Sequence, residues 1–302
     1  MKAVVTGATG AIGMALLELL EKNRIETLVL CRASSSRASK IKESEYIKKA
    51  DCSLSEMKDF NSDEKYDVFF HFAWDGTFGE TRDDLYLQSD NIRFTLDAVN
   101  LAKRLGCRTF IGAGSQAEYG RCEGIISPDT PTAPTMGYGI AKLSAGLLSR
   151  EEANKLGIEH IWVRILSVYG PYDTDRTMVM STIRKLLAGE TAMFTPAEQI
   201  WDYIYSKDAA RAFLSLAQKG KGGETYCLGG GKSMPLKNYI TIIKDEISAG
   251  ELAIGAIPYN PKQTMHLEAD ISKLTEHTGF VPKYSFEEGI KETVAWVKKT
   301  FL

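Results

Sequence analysis

Tyr138 and Lys142 stand four positions apart in the stretch GYGIAK. On a helix, positions i and i+4 share a face. An ammonium beside a phenol favours the phenolate, so this pair is expected to bring a tyrosine pKa from about 10 toward neutrality. The product would be a general acid/base near working pH. Ser115 follows the apolar run RTFIGAG and could hydrogen-bond the same substrate oxygen. Such a trio moves a proton on or off a carbinol oxygen and leaves a hydride to be carried by another group. Tyrosine and lysine at this spacing are common on helices, so the rest of the chain must decide between chemistry and an exposed pair.

The amino terminus supplies the decision. Met1 to Gly13 reads MKAVVTGATGAIG: a short apolar strand, three glycines (Gly7, Gly10, Gly13), then an apolar helix over 11–22. A strand that turns into a helix so quickly needs backbone angles that side chains obstruct. Bare N–H groups at the helix start, with the positive end of its dipole, suit a pyrophosphate. Thr9, Ala11 and Ile12 lie between the glycines and are expected to touch the same anion. This is the strand–turn–helix setting of a dinucleotide site.

A second strand at 26–31 completes a βαβ unit, and Arg32 stands at its end. A cation there suits a ribose 2′-phosphate, and Ser34, Ser35, Ser36 and Arg37 can donate to the same oxygens. The reading is NADP, with NAD as the alternative. Tyr46-Ile47 is expected as a short third strand, with Asp51 near the adenine edge. A fourth strand, 66–73, should bring Phe72 and Ala73 to the cofactor cleft, because parallel sheets bind ligands at the carboxyl ends of their strands. His71 inside it is expected to be a structural hydrogen-bonder. Further strands are expected at 108–113 and 159–166, and helices at 85–105 and 137–156. Helices follow at 178–188, 206–218, 234–248, 270–278 and 286–300, with extended pieces at 193–194 and 200–205.

Composition is that of an ordinary globular chain, with 302 residues, 44% of them apolar and 25% charged. A net charge of −2 makes no electrostatic case for nucleic acid or anionic membrane as a partner. The five cysteines are scattered, without metal-ligand spacing, which suggests reduced thiols in a cytoplasmic protein and no metal. Strand one begins too early to leave room for a signal peptide, and no apolar run reaches membrane-spanning length.

Several stretches together resemble an extended short-chain dehydrogenase/reductase of the NAD-dependent epimerase/dehydratase kind, which acts on nucleotide sugars in carbohydrate biosynthesis. TGATGAIG is similar to the family's nucleotide turn, and 67–73 to its V-x-H-x-A strand. Asn91 falls where a cofactor-side asparagine is typical. Ser115, Tyr138 and Lys142 match the triad by position. RILSVYGP (164–171) resembles R-x-x-N-V-Y-G-P, WDYIYSKDAARA (201–212) resembles R-D-x-x-H-V-x-D-x-A, and Gly289 and Trp296 fit the closing helix.

The resemblance implies an α/β fold: a Rossmann-like doubly wound parallel sheet over 1–166, with 199–228 packing back on it. A smaller α/β substrate-binding part would comprise 167–198 and 229–302. It also implies a homodimer through the two long helices. Trp74, Gln116, Ser167, Tyr169, Arg176 and Trp201 are the substrate-side candidates.

The departures narrow the chemistry. Sugar 4,6-dehydratases of the family carry Asp and Glu after the position of Ser115, as acid and base for elimination. Here Gln116 and Ala117 stand there. Glu118 is one place late, and adjacent side chains of an extended segment face opposite ways. Ser167 replaces the usual Asn, and Trp201 the usual Arg. The reading is reduction of a 4-keto sugar on a nucleotide. A C4 epimerase is the runner-up, and a dehydratase or a non-catalytic NADP-binding regulator stands further off.

Overall fold

The computed structural model describes residues 1–261 and 263–301. In chain order the first half contains β1 (Ala3–Thr6), α1 (Ala11–Lys22), β2 (Thr27–Cys31), β3 (Ile47–Asp51) and β4 (Val68–His71). Then come α2 (Leu85–Arg104), β5 (Thr109–Ser115), β6 (Ile125–Ile126), α3 (Gly137–Leu156) and β7 (Glu159–Ile165). The second half holds β8 (Ser167–Tyr169), α4 (Met178–Leu187), β9 (Thr191–Phe194), β10 (Ile200–Tyr205), α5 (Ser206–Lys219) and β11 (Thr225–Leu228). It ends with β12 (Ser233–Pro235), α6 (Leu236–Glu246), β13 (Glu251–Ile254), β14 (His266–Ala269), α7 (Ser272–Thr278) and α8 (Phe286–Phe301).

Seven strands form one sheet in the order β11-β7-β5-β4-β1-β2-β3, parallel throughout. Parallel strands need crossovers, and helices cover both faces as such sheets require. On one face Val5, Phe70 and Ile111 pack with Leu16 and Leu20 of α1 and Phe213 and Leu216 of α5. On the other, Val4, Phe69 and Phe110 pack with Phe94, Val99 and Leu101 of α2. Burial of each such side chain stabilises by about 1.5–3 kcal/mol. The fold class is therefore the doubly wound α/β architecture expected.

A second sheet holds β12-β10-β14-β6, with β8 paired to β10, and β9 pairs with β13. Around these strands Tyr169, Ile183, Ile243 and Val294 make a separate core. No described helix is long and apolar enough to cross a membrane.

The short strands differ most from expectation. Strand three runs over Ile47–Asp51 and includes Lys48 and Lys49, because it is the outermost strand and an exposed edge accepts charge. Strand β5 continues through Gly114 to Ser115, paired to Ile165 of β7. Strands β6, β13 and β14 have two to four residues each and owe their extension to partners distant in sequence. Pro235 and Ile271 set later starts for α6 and α7 than the apolar pattern suggests.

Candidate active site

Between β1 and β4 the strand order reverses, and their carboxyl ends part to leave a crevice. Its volume is about 260 Å³, with Thr6, Gly7, Thr9, Arg32, Ser35 and Ala73 in the lining. Gly7 has φ +68°, and a Cβ on it would stand 2.5 Å from the Ala73 nitrogen. A Cβ on Gly13 would lie 2.5 Å from the Ala8 Cα, so that glycine lets α1 press onto the turn. Gly10 has only the Gly7 carbonyl oxygen at 4.0 Å, and it caps α1 with no side-chain hydrogen bond. The first N–H groups of α1 have no partner within the helix, and the open side of Gly10 fits a dinucleotide pyrophosphate there.

Around this cradle some expected residues play other parts. Phe72 turns its ring edge-on to Phe213, 4.7 Å between centroids, so only its backbone borders the turn. Asp51 accepts from the Ala33 nitrogen at 2.7 Å and fastens the loop of Arg32, and residues 52–55 after it line the crevice. Asn91, 1% exposed, exchanges hydrogen bonds with the backbone of Asp75 and also donates to Leu87. Its polar atoms hold the loop after β4. His71 bonds Thr6 Oγ1 at 2.9 Å, and burial pushes its pKa down to about 3, so it stays neutral and structural.

Tyr138 and Lys142 lie on the first turns of α3, beside the end of β5. The helix docks there through two glycines. A Cβ on Gly139 would stand 2.3 Å from the Ala117 carbonyl oxygen, and one on Gly137 3.0 Å from that of Arg82. Lys142 is 4% exposed; its Nζ donates to the Ala113 carbonyl at 2.7 Å and lies 3.6 Å from the centre of the Trp74 ring. Burial pushes its pKa down to about 7, with Glu118 opposing. Tyr138 is edge-on to Trp74, and the Ser115 hydroxyl pulls its pKa down.

The expected drop of the Tyr138 pKa toward neutrality is not met. Burial raises it, with hydrogen bonding to Ser115 and the Arg82 guanidinium pulling the other way and Glu118 adding to the rise. The physical reason is distance and competition: Lys142 Nζ is 5.9 Å from the phenol ring and is already engaged by Ala113 and Trp74. Arg82 and Gln88 were missed in the sequence, where nothing local marks them. Gln88 accepts from Trp74 Nε1 at 2.9 Å and so orients the indole.

Glu118 is 1% exposed and wholly committed. It accepts from the Ser115 nitrogen (2.8 Å), Trp162 Nε1 (3.0 Å) and Arg164 Nε (2.7 Å). Ser115 Oγ accepts from the Ala117 nitrogen at 3.2 Å, which leaves the hydroxyl hydrogen free to donate. Gln116 is half-buried beside it. The two departures further along meet each other: Trp201 Nε1 donates to Ser167 Oγ at 2.9 Å. Tyr169, 1% exposed, packs on Tyr203, Tyr205 and Phe286, donates to the Phe286 carbonyl and stands in the wall of a second pocket. Arg176 is exposed near Gly79.

A family model described as "NAD dependent epimerase/dehydratase family" matches residues 3–229. The sequence is similar to a dTDP-glucose 4,6-dehydratase of Xanthomonas campestris pv. campestris, 27% identical over 199 residues. That match covers 62% of this chain and 57% of the relative, so the chain spans little more than half of that enzyme. The fold is similar to a UDP-glucose 4-epimerase of Thermotoga maritima solved with UDP-glucose: TM-score 0.88, 24% identity, 100% of both chains. It is also similar to a UDP-glucuronic acid 4-epimerase of Bacillus cereus solved with NAD: TM-score 0.85, 21% identity, 100% of this chain and 98% of that one.

Proposed function

We propose that this chain, which belongs to the NAD dependent epimerase/dehydratase family, reduces a 4-keto sugar carried on a nucleotide, with NADPH as the reductant. The observation that supports this reading best is the state of the turn after β5. Elimination needs a free acid and a free base there. Residues 116 and 117 are Gln and Ala, and the nearest carboxylate, Glu118, is held by Arg164, Trp162 and Ser115. The three residues of an oxidoreduction remain together.

A bound dinucleotide supplies the hydride. Tyr138 gives its proton to the carbonyl oxygen as that oxygen gains charge, and Ser115 donates a hydrogen bond to the same atom. Lys142, with a pKa of about 7, can pass the next proton toward the phenolate. Ser115, Tyr138 and Lys142 are thus read as catalytic. Gly7, Thr9, Gly10, Ala11, Ile12, Gly13, Arg32 and Ala73 are read as the cofactor side, with Arg32 on the rim of the crevice suited to a 2′-phosphate. Trp74 and Gln116 border the reacting sugar. Exposed Tyr86, Ile140, Leu147 and Leu148 on α2 and α3 are an apolar face suited to a twofold partner, which sedimentation would detect.

The test is a screen of keto-sugar nucleotides with NADPH. Loss of nicotinamide absorbance in proportion to the keto sugar is expected. Interconversion of two sugars with no net change in the cofactor refutes reduction and favours C4 epimerisation. Unchanged function in Tyr138→Phe favours a non-catalytic regulator.

A further inference from the structure

We propose that Arg82 is a positioning residue for Tyr138: its guanidinium, pinned against the phenol ring, is the cation that favours the phenolate during proton transfer. This rests on the reading of Tyr138 as the acid/base. The guanidinium carbon lies 4.7 Å from the centre of the Tyr138 ring, against 5.9 Å for Lys142 Nζ. A cation over a ring face is attracted by its quadrupole, and the attraction becomes charge against charge once the proton has left.

The placement is built, not incidental. Gln88, 1% exposed, donates from Nε2 to the carbonyls of Thr81 (2.9 Å) and Gly76 (2.8 Å) on either side of the loop. Asp83 Oδ1 accepts from the Gly137 nitrogen at 3.1 Å, one residue before Tyr138. The backbones approach so closely that only glycine fits at 137 without a shift. Arg82 Nε is buried and has no hydrogen-bond partner among the described residues.

Other groups act on the phenol as well: Lys142 from its own helix, and Ser115 and Glu118 from the end of β5 and the turn after it, while Asp83 adjoins Arg82 in its loop. Lys142 is drawn to Ala113 and Trp74. Glu118 is countered by Arg164, and Asp83 is spent on Gly137. Arg82 alone of these lies against the ring with a donor unused.

The test compares Arg82→Met, which keeps length but not charge, with Arg82→Lys, which keeps charge. Two readouts are taken: the alkaline limb of kcat for reduction, and the tyrosinate absorbance titration of each protein minus that of its Tyr138→Phe partner. In Arg82→Met both should move up by about one pH unit, a tenfold weakening of the acid. In Arg82→Lys they should move by less than half as much. The idea is overturned when Arg82→Met leaves the titration in place, or when Arg82→Lys moves it as far. The absorbance difference needs no substrate. A protein that reduces no keto sugar yet shows the shift therefore counts against the reductase reading alone.

Discussion

Replacing Glu118 by Gln tests whether the turn after β5 is held by a buried ion pair. The carboxylate is 1% exposed and accepts from Ser115, Trp162 and Arg164, and Arg164 is itself 8% exposed. Breaking such a pair from one side leaves a buried guanidinium without a counter-charge, which destabilises by about 3–5 kcal/mol. Gln keeps one acceptor oxygen, so the low end of that range, about 3 kcal/mol, is expected. With a urea slope near 3 kcal/mol per molar, the unfolding midpoint should fall by about 1 M.

Arg164→Met alone should also destabilise, because it strands Glu118 and takes a donor from Tyr119 and from the Pro128 carbonyl. The double variant removes both charges and should cost less than the sum of the single ones, by about 1–3 kcal/mol. Chemistry should suffer separately. The Ser115 nitrogen must then compete with Arg164 and Trp162 for one acceptor oxygen, and a shift of about 1 Å in a reacting group lowers turnover by about 10²-fold while the crevice for the dinucleotide stays intact. Urea unfolding of the four proteins gives the cycle. A midpoint within 0.2 M of the parent (about 0.6 kcal/mol) for Glu118→Gln, or strictly additive effects, would refute the argument.

Tyr138→Phe should lower the rate of hydride transfer by about 10²–10⁴-fold with dinucleotide affinity unchanged, read by stopped flow and by titration of the cofactor. Arg32→Ala should weaken NADPH binding by about tenfold to a hundredfold and leave NADH nearly unaffected, since a charge-assisted bond is worth about 1.5–3 kcal/mol; an unchanged ratio of the two affinities rejects the NADP reading. Lys142 carries a folded-state pKa of about 7 against an ordinary value of 10.5. Between those values the unfolded chain binds more protons than the folded one, so stability from this group rises with pH across the window and is lost as pH falls toward 7. Lys142→Met should therefore be more stable than the parent at pH 7, with the gap closing as pH approaches 10.5, measured by thermal unfolding across that range.

The site was legible in the sequence wherever the relevant geometry is local. The turn from β1 to α1 is a matter of a few consecutive residues, and its three glycines stand where the backbone needs them. The spacing of Tyr138 and Lys142 puts them on one helix face whatever surrounds the helix. The absence of a second acid/base pair is likewise written in Gln116 and Ala117. The protein partners of Asp51 and Asn91 were not legible, for one reason. Each is a polar side chain whose partner is a backbone group far along the chain, Ala33 in one case and Asp75 in the other.

Residue types and their order therefore determined the alternation of strands and helices, the anion cradle at the amino terminus, and the trio Ser115, Tyr138 and Lys142. The tertiary structure alone decided which charges those three feel. A pKa depends on burial and on neighbours brought in from anywhere in the chain. The loop of Arg82, the seat of Lys142 between Ala113 and Trp74, and the locking of Glu118 by Arg164 all come from packing between distant segments. Periodicity along the chain carries no record of such contacts, because a helix or strand keeps the same pattern whichever polar group is folded against its end.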